Sequence, residues 1–124
     1  ELIDNLMKVK LPFEPSSVSQ SAALQALDDI KHLEETILLN TKEMRIVSDC
    51  LDIMGIQYIP SVANFITIVF DSRVNVINLV QYLLENGIIV RDLIGFGLPK
   101  CIRVTIGNKE ENKLFLNEMK KYFN

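Results

Sequence analysis

Cysteine, histidine and runs of like charge are all scarce in this chain of 124 residues, and each scarcity removes a class of chemistry. The two cysteines, Cys50 and Cys101, stand far apart in apolar surroundings, which excludes a disulfide framework or a metal knuckle and predicts reduced, buried thiols. The single histidine, His32, lies beside Glu34 and Glu35 at the charged start of a helical pattern. With no second histidine or cysteine at ligand spacing it reads as a solvated side chain, and Cys101 is left without a base. No cationic run is longer than Lys120-Lys121, and the formal net charge is −3, so neither nucleic acid nor an anionic membrane surface is expected as a partner. No apolar stretch approaches the ~20 residues of a membrane span, and no signal-peptide layout is present, which leads to the expectation of a cytoplasmic protein. What is present is 48% hydrophobic and 23% charged residues, a balance suited to one domain with a real core.

Periodicity divides the chain into a helical first half and a mixed second half. Leu2, Leu6 and Val9 follow helical spacing until Leu11-Pro12-Phe13-Glu14-Pro15 breaks it, because proline cannot continue a helix. Ser17 and Gln20 have the form of a capping box for a helix through Ala22, Ala23, Leu24 and Leu27. Ile30, Leu33, Ile37, Met44, Val47, Leu51 and Met54 then recur at three and four, predicting one long helix that Gly55 stops. Gln57 to Ile59 and Phe65 to Phe70 are rich in β-branched and aromatic residues and read as strands. A helix carrying Val76, Leu79, Val80, Leu83 and Leu84 follows, begun by Asp71 or Ser72 and closed by Gly87. Strands at Ile88 to Arg91 and Cys101 to Ile106 come next, and Asn108 with Glu111 opens a last helix. The order predicts an α+β fold with a small, mostly antiparallel sheet of four strands and helices packed on one face.

Two arginines near the end, Arg91 and Arg103, bracket a glycine-proline loop. A guanidinium is planar, always charged and able to grip a carboxylate or phosphate bidentately, so two of them joined by a turn suit an anion with two negative groups. Alternation puts Ile102, Val104 and Ile106 on one face of the last strand and Cys101, Arg103 and Thr105 on the other. If the isoleucine face meets the helices, Arg103 is either solvent-exposed on an open sheet or covered by something these residues do not include. Gly95-Phe96-Gly97 joins two strands rather than a strand and a helix, so it is a turn and not a nucleotide loop.

Phe13 after Pro12, Pro60-Ser61-Val62-Ala63-Asn64-Phe65, Gly87-Ile88-Ile89-Val90-Arg91, Gly95-Phe96-Gly97-Leu98-Pro99 and Ile102-Arg103-Val104-Thr105-Ile106-Gly107 occur in an order and spacing that mark a family. They resemble the carboxy-terminal part of histidinol-phosphate aminotransferases, pyridoxal-phosphate enzymes of the aspartate aminotransferase fold. The resemblance implies that residues 1–11 are the remnant of an interdomain helix and 12–124 the C-terminal small domain. It implies that Arg103 grips the substrate α-carboxylate, that Arg91 helps hold the substrate phosphate, and that Asn64 lies in the segment approaching the substrate. For the complete enzyme it implies transfer of an amino group between histidinol phosphate and 2-oxoglutarate in histidine biosynthesis, with pyridoxal phosphate as cofactor.

The Schiff-base lysine of that family, the aspartate that pairs with the pyridine nitrogen and the tyrosine beside the ring have no counterpart in these residues. Without the lysine there is no base for the proton shift, so this chain alone is expected to be inactive, to bind no cofactor, and to need the missing N-terminal large domain as partner. A homodimer and a small anionic substrate complete the expected partners. Three departures stand out: Lys10 where relatives have arginine, Glu14 where asparagine is common, and Asn108 in place of threonine. Lys10 keeps the charge but loses the fork, and Glu14 adds negative charge near the expected phosphate site. The alternatives are a stand-alone α+β module that binds a small anionic effector, and part of a related phospho-amino-acid aminotransferase or decarboxylase.

Overall fold

The computed structural model describes residues 1–10 and 14–123. Contacts divide the chain into two units, Glu1–Glu34 and the residues from Glu35 on. In the first, α1 is Leu2–Val9 and ends as Lys10 turns to extended backbone. The proline break predicted there, at Leu11, Pro12 and Phe13, lies outside the described residues. Lys10 Nζ meets Glu14 Oε1 at 2.8 Å, so the two departures noted above pair with each other. Helix α2 is Ser17–Asp28. Its cap is not Ser17 but Ser16, one residue earlier, whose extended backbone lets its hydroxyl accept from the Ser19 amide at 3.2 Å. Gln20 completes no box and instead donates to the Pro15 carbonyl at 2.9 Å. A run of adjacent serines offers the same hydroxyl at successive positions, and the one that is still extended becomes the cap.

Helix α3 is Ile30–Ile53, begun by Asp29, whose Oδ1 accepts from the His32 amide at 3.0 Å. In the second unit its Val47 and Leu51 are buried, with Met44 and Met54 against them. The predicted stripe is thus buried in its second half, whereas Ile30, Leu33 and Ile37 remain more than half exposed. His32 is exposed, as its charged neighbours required.

Four strands follow: β1 Tyr58–Ile59, β2 Phe65–Val69, β3 Arg91–Asp92 and β4 Cys101–Thr105. They form one antiparallel sheet in the order β1-β2-β4-β3, the predicted α+β arrangement. Between β2 and β3 lies α4, Arg73–Glu85, capped by Ser72, and after β4 comes α5, Lys109–Phe123. Ile66 and Ile68 of β2 with Ile102 and Val104 of β4 form the buried face, against Leu79 and Leu83 of α4 and Phe115 and Met119 of α5. Each fully buried aliphatic side chain of this kind contributes about 1.5–3 kcal/mol relative to exposure. The Asn108 capping box forms as read: Asn108 Oδ1 accepts from the Glu111 amide at 3.0 Å, and Glu111 Oε2 accepts from the Asn108 amide at 2.8 Å.

Strand β3 is shorter and later than the predicted Ile88 to Arg91. The Ile88 amide still belongs to the end of α4, donating to Leu83 O at 2.8 Å while Gly87 N reaches Leu84 O at 3.0 Å. This paired closure needs a left-handed residue, supplied by Gly87 at φ 78°. The chain therefore joins the β4 ladder only at Arg91.

Candidate functional site

The register of the sheet decides what shares the open face. Arg103 stands opposite Thr67 on β2 and opposite Arg91 on β3. Residues directly opposite in an antiparallel pair point to the same face, so both guanidinium groups rise from the side away from the helices. Leu93 N donates to Cys101 O at 3.0 Å, and stepping two residues along makes Arg91 and Arg103 a hydrogen-bonded pair of the same class. Alternation alone placed Arg103 on the open face; the pairing adds that Arg91 is its direct neighbour.

Like charges directly opposite on a sheet repel. Among the described residues, neither arginine has a carboxylate within 4.0 Å to relieve that repulsion. The acid nearest in sequence, Asp92, is occupied elsewhere: its Oδ1 accepts from the Ile94 amide at 3.1 Å and so pins the 3-10 turn Ile94–Phe96. Gly97 closes that turn, which returns the chain to β4 as the Gly-Phe-Gly motif suggested. Arg91 is exposed and Arg103 half-buried, and they line a hollow of about 370 Å³ with Ile89, Val90, Asp92 and Thr105. A second hollow lies between Ile88 to Val90 and the start of α5, and the polar side chains that α5 presents to it are already bonded. Asn112 there is bonded to Gly107 and Glu43, and Glu111 to Asn108.

Phe65 is the neighbour that strand reading did not bring into the site. Its ring centroid lies 5.2 Å from the Arg103 guanidinium carbon. The contact follows from the register, Phe65 opposite Thr105 and hence diagonal to Arg103, which neither strand reveals by itself. Asn64 is not brought onto this face by any side-chain contact among the described residues. It is exposed, immediately before β2, and held through its backbone carbonyl, which accepts from Ile106 N at 2.8 Å. The segment before it is tethered by Asn40, whose Nδ2 donates to the Ala63 carbonyl at 3.2 Å. Cys101 is buried and Cys50 half-buried, both free thiols, and no group of three or more metal-ligating side chains occurs among the described residues. No helix among them is long and apolar enough to cross a membrane.

The sequence profile of the family "Aminotransferase class I and II" matches residues 1–118. The chain belongs to that family. It is 41% identical over 121 residues, 98% of its length, to a histidinol-phosphate aminotransferase of Wolinella succinogenes. It spans only 33% of that relative, about a third of the length. Among solved structures, it resembles the histidinol-phosphate aminotransferase of Sinorhizobium meliloti in complex with pyridoxal-5'-phosphate, with a TM-score of 0.83 and 22% identity over 96% of this chain and 33% of that one. A decarboxylase from Sulfurospirillum multivorans is similar at a TM-score of 0.80 and 26% identity, over 99% of this chain and 36% of that one. The small antiparallel sheet with helices on one face is thus an aminotransferase fold element, and the two arginines rise from its open side.

Proposed function

We propose that these residues are the substrate-anion-binding small domain of a pyridoxal-phosphate-dependent histidinol-phosphate aminotransferase, preceded by a linking segment, residues 1–11, that carries α1. The observation that carries the reading is the cross-strand pair of Arg91 and Arg103, opposite each other and without a neutralising carboxylate among the described residues. Such a pair is relieved by an oxyanion that bridges both forks. In this reading Arg103 takes the α-carboxylate of glutamate or 2-oxoglutarate. Arg91 and Arg103 together take the phosphate of histidinol phosphate, and Asn64 borders the substrate. The 41% identity to the Wolinella succinogenes relative supports this substrate over the decarboxylase alternative.

The open face does not fit pyridoxal phosphate itself. Its central rows hold Ile59, Thr67, Arg103 and Arg91, then Phe65 and Thr105, with neither a lysine amine nor a carboxylate for a pyridine nitrogen. When bound in the complete enzyme, that cofactor supplies the electron sink for the amino-group exchange. Its lysine is assigned to sequence outside these residues, as is the large domain, and a homodimer is the proposed assembly. The part played here is binding and orientation: two fixed cations set the position of the substrate's anionic end.

The test is amino transfer by the natural gene product, weighed intact with its reading frame followed upstream of Glu1. A longer product that exchanges amino groups between histidinol phosphate and 2-oxoglutarate is expected. Losing a charged bidentate contact in Arg103→Ala should lower kcat/KM for glutamate roughly ten- to a hundredfold. A product confined to these residues that binds phosphate but transfers nothing would replace the proposal with a stand-alone anion-binding module.

A further inference from the structure

The ring beside Arg103 has no duty in the core. Phe65 points to the open face, while its strand neighbours Ile66 and Ile68 fill the interior. We propose that Phe65 is a positioning residue for the anion site, holding the Arg103 guanidinium against its ring so that the N–H edge stays free for an oxyanion. The inference rests on the reading of Arg91 and Arg103 as an anion grip and adds a component to it.

The argument is one of what could steady this arginine without filling its site. Arg103 faces Arg91 directly and has no carboxylate partner among the described residues, so its side chain is pushed away from its neighbour. A carboxylate would steady it, but would occupy the donors and cancel the charge that the substrate needs. An aromatic face attracts the cation through its quadrupole and accepts none of the in-plane N–H bonds. At 5.2 Å from centroid to guanidinium carbon, Phe65 is within the range of that attraction. The flanking positions on this face, Thr67 and Thr105, are too small to do the same.

The experiment uses the full 124-residue chain with ¹⁵N-labelled arginine, reading the order of the Arg103 Nε–H by relaxation and the affinity for inorganic phosphate by titration. Phe65→Leu should leave the cooperative unfolding transition in place, raise Arg103 mobility and weaken phosphate binding about two- to fivefold. Phe65→Tyr, which keeps the ring, should restore both; Phe65→Met serves as the ring-free variant if leucine prevents folding. A purely structural phenylalanine would shift the unfolding midpoint without changing Arg103 order. Arg103 order that is the same in Phe65→Leu as in the wild type overturns the inference. So does phosphate binding that requires Arg103 yet is indifferent to Phe65, an outcome that leaves the proposed function standing. Absence of phosphate binding in the wild type overturns the anion-grip reading on which the inference rests.

Discussion

Removing one of the two facing arginines should stabilise the protein when no anion is present and deprive it of stabilisation when one is. Arg91 and Arg103 are directly opposed, with Cα atoms about 5.5 Å apart as in any hydrogen-bonded antiparallel pair. A like-charge cross-strand pair costs about 0.2–1 kcal/mol. Arg91→Gln keeps a polar side chain of middling length on β3 and removes that repulsion, so it should raise stability by about 0.5 kcal/mol at low ionic strength. At roughly 0.01 M salt the screening length is about 30 Å and the pair is unshielded; near 1 M it is about 3 Å, and the difference should vanish. Phosphate reverses the order. Ligand at about a hundred times its dissociation constant adds about 2.7 kcal/mol to the state that binds it, and the variant, with one fork, should gain far less. Urea unfolding followed by circular dichroism, with and without phosphate at both salt concentrations, reads all four values. An Arg91→Gln protein less stable than the wild type at low salt without anion, or one that phosphate stabilises as much, would refute the reasoning.

Asn112 is the knot between α3, α5 and the end of β4: its Nδ2 donates to Glu43 at 3.0 Å and to the Gly107 carbonyl at 2.9 Å, and its Oδ1 accepts from Gly107 N at 3.0 Å. Asn112→Ala leaves a buried carboxylate and a peptide group unsatisfied, and urea unfolding should show a loss of about 2–4 kcal/mol. Glu118 is buried beside Lys121 and accepts from the Tyr82 hydroxyl at 2.9 Å; first Lys121 and then Tyr82 hold its carboxyl below the usual carboxylate range. Because the folded value lies below the unfolded one, its contribution is complete above the ordinary carboxylate range and is lost as pH falls through the folded value. The stability advantage of the wild type over Glu118→Gln, read from urea midpoints, should therefore shrink as the solution is acidified. Asn108→Ala removes the side-chain half of the α5 cap and should cost about 1 kcal/mol, whereas Asn108→Ser should restore most of it in the same assay.

Where local chemistry decides, the residues could be read directly. The Gly87 stop, the Asn108 box and the inward face of Ile102, Val104 and Ile106 each depend on neighbours a few positions away. The start of β3 could not be read this way, because Ile88 to Val90 are β-branched and suit a strand while the closure of α4 still claims the Ile88 amide. Nor could the α2 cap, where several serines compete. The candidate site was half legible. Both arginines could be named from their charge and the turn between them, but their direct opposition depends on the register across that turn, and the Phe65 contact comes from pairing with a strand dozens of residues earlier. Asn64 entered through family resemblance, and its side chain makes no contact that would tie it to the arginines among the described residues.

Strand β4 is flanked on both sides, whereas β3 is two residues at the rim of the sheet with one neighbour. The two cations are therefore mounted with unequal stiffness: Arg103 on an internal strand whose displacement would strain two ladders, Arg91 on a rim that gives under a small load. A clamp with one fixed jaw and one compliant jaw fits objects of different width while keeping one end of each in the same place. In the proposed aminotransferase, exchange between two dissimilar anionic substrates would ask that of a single grip, and the unequal mounting of the two strands would supply it.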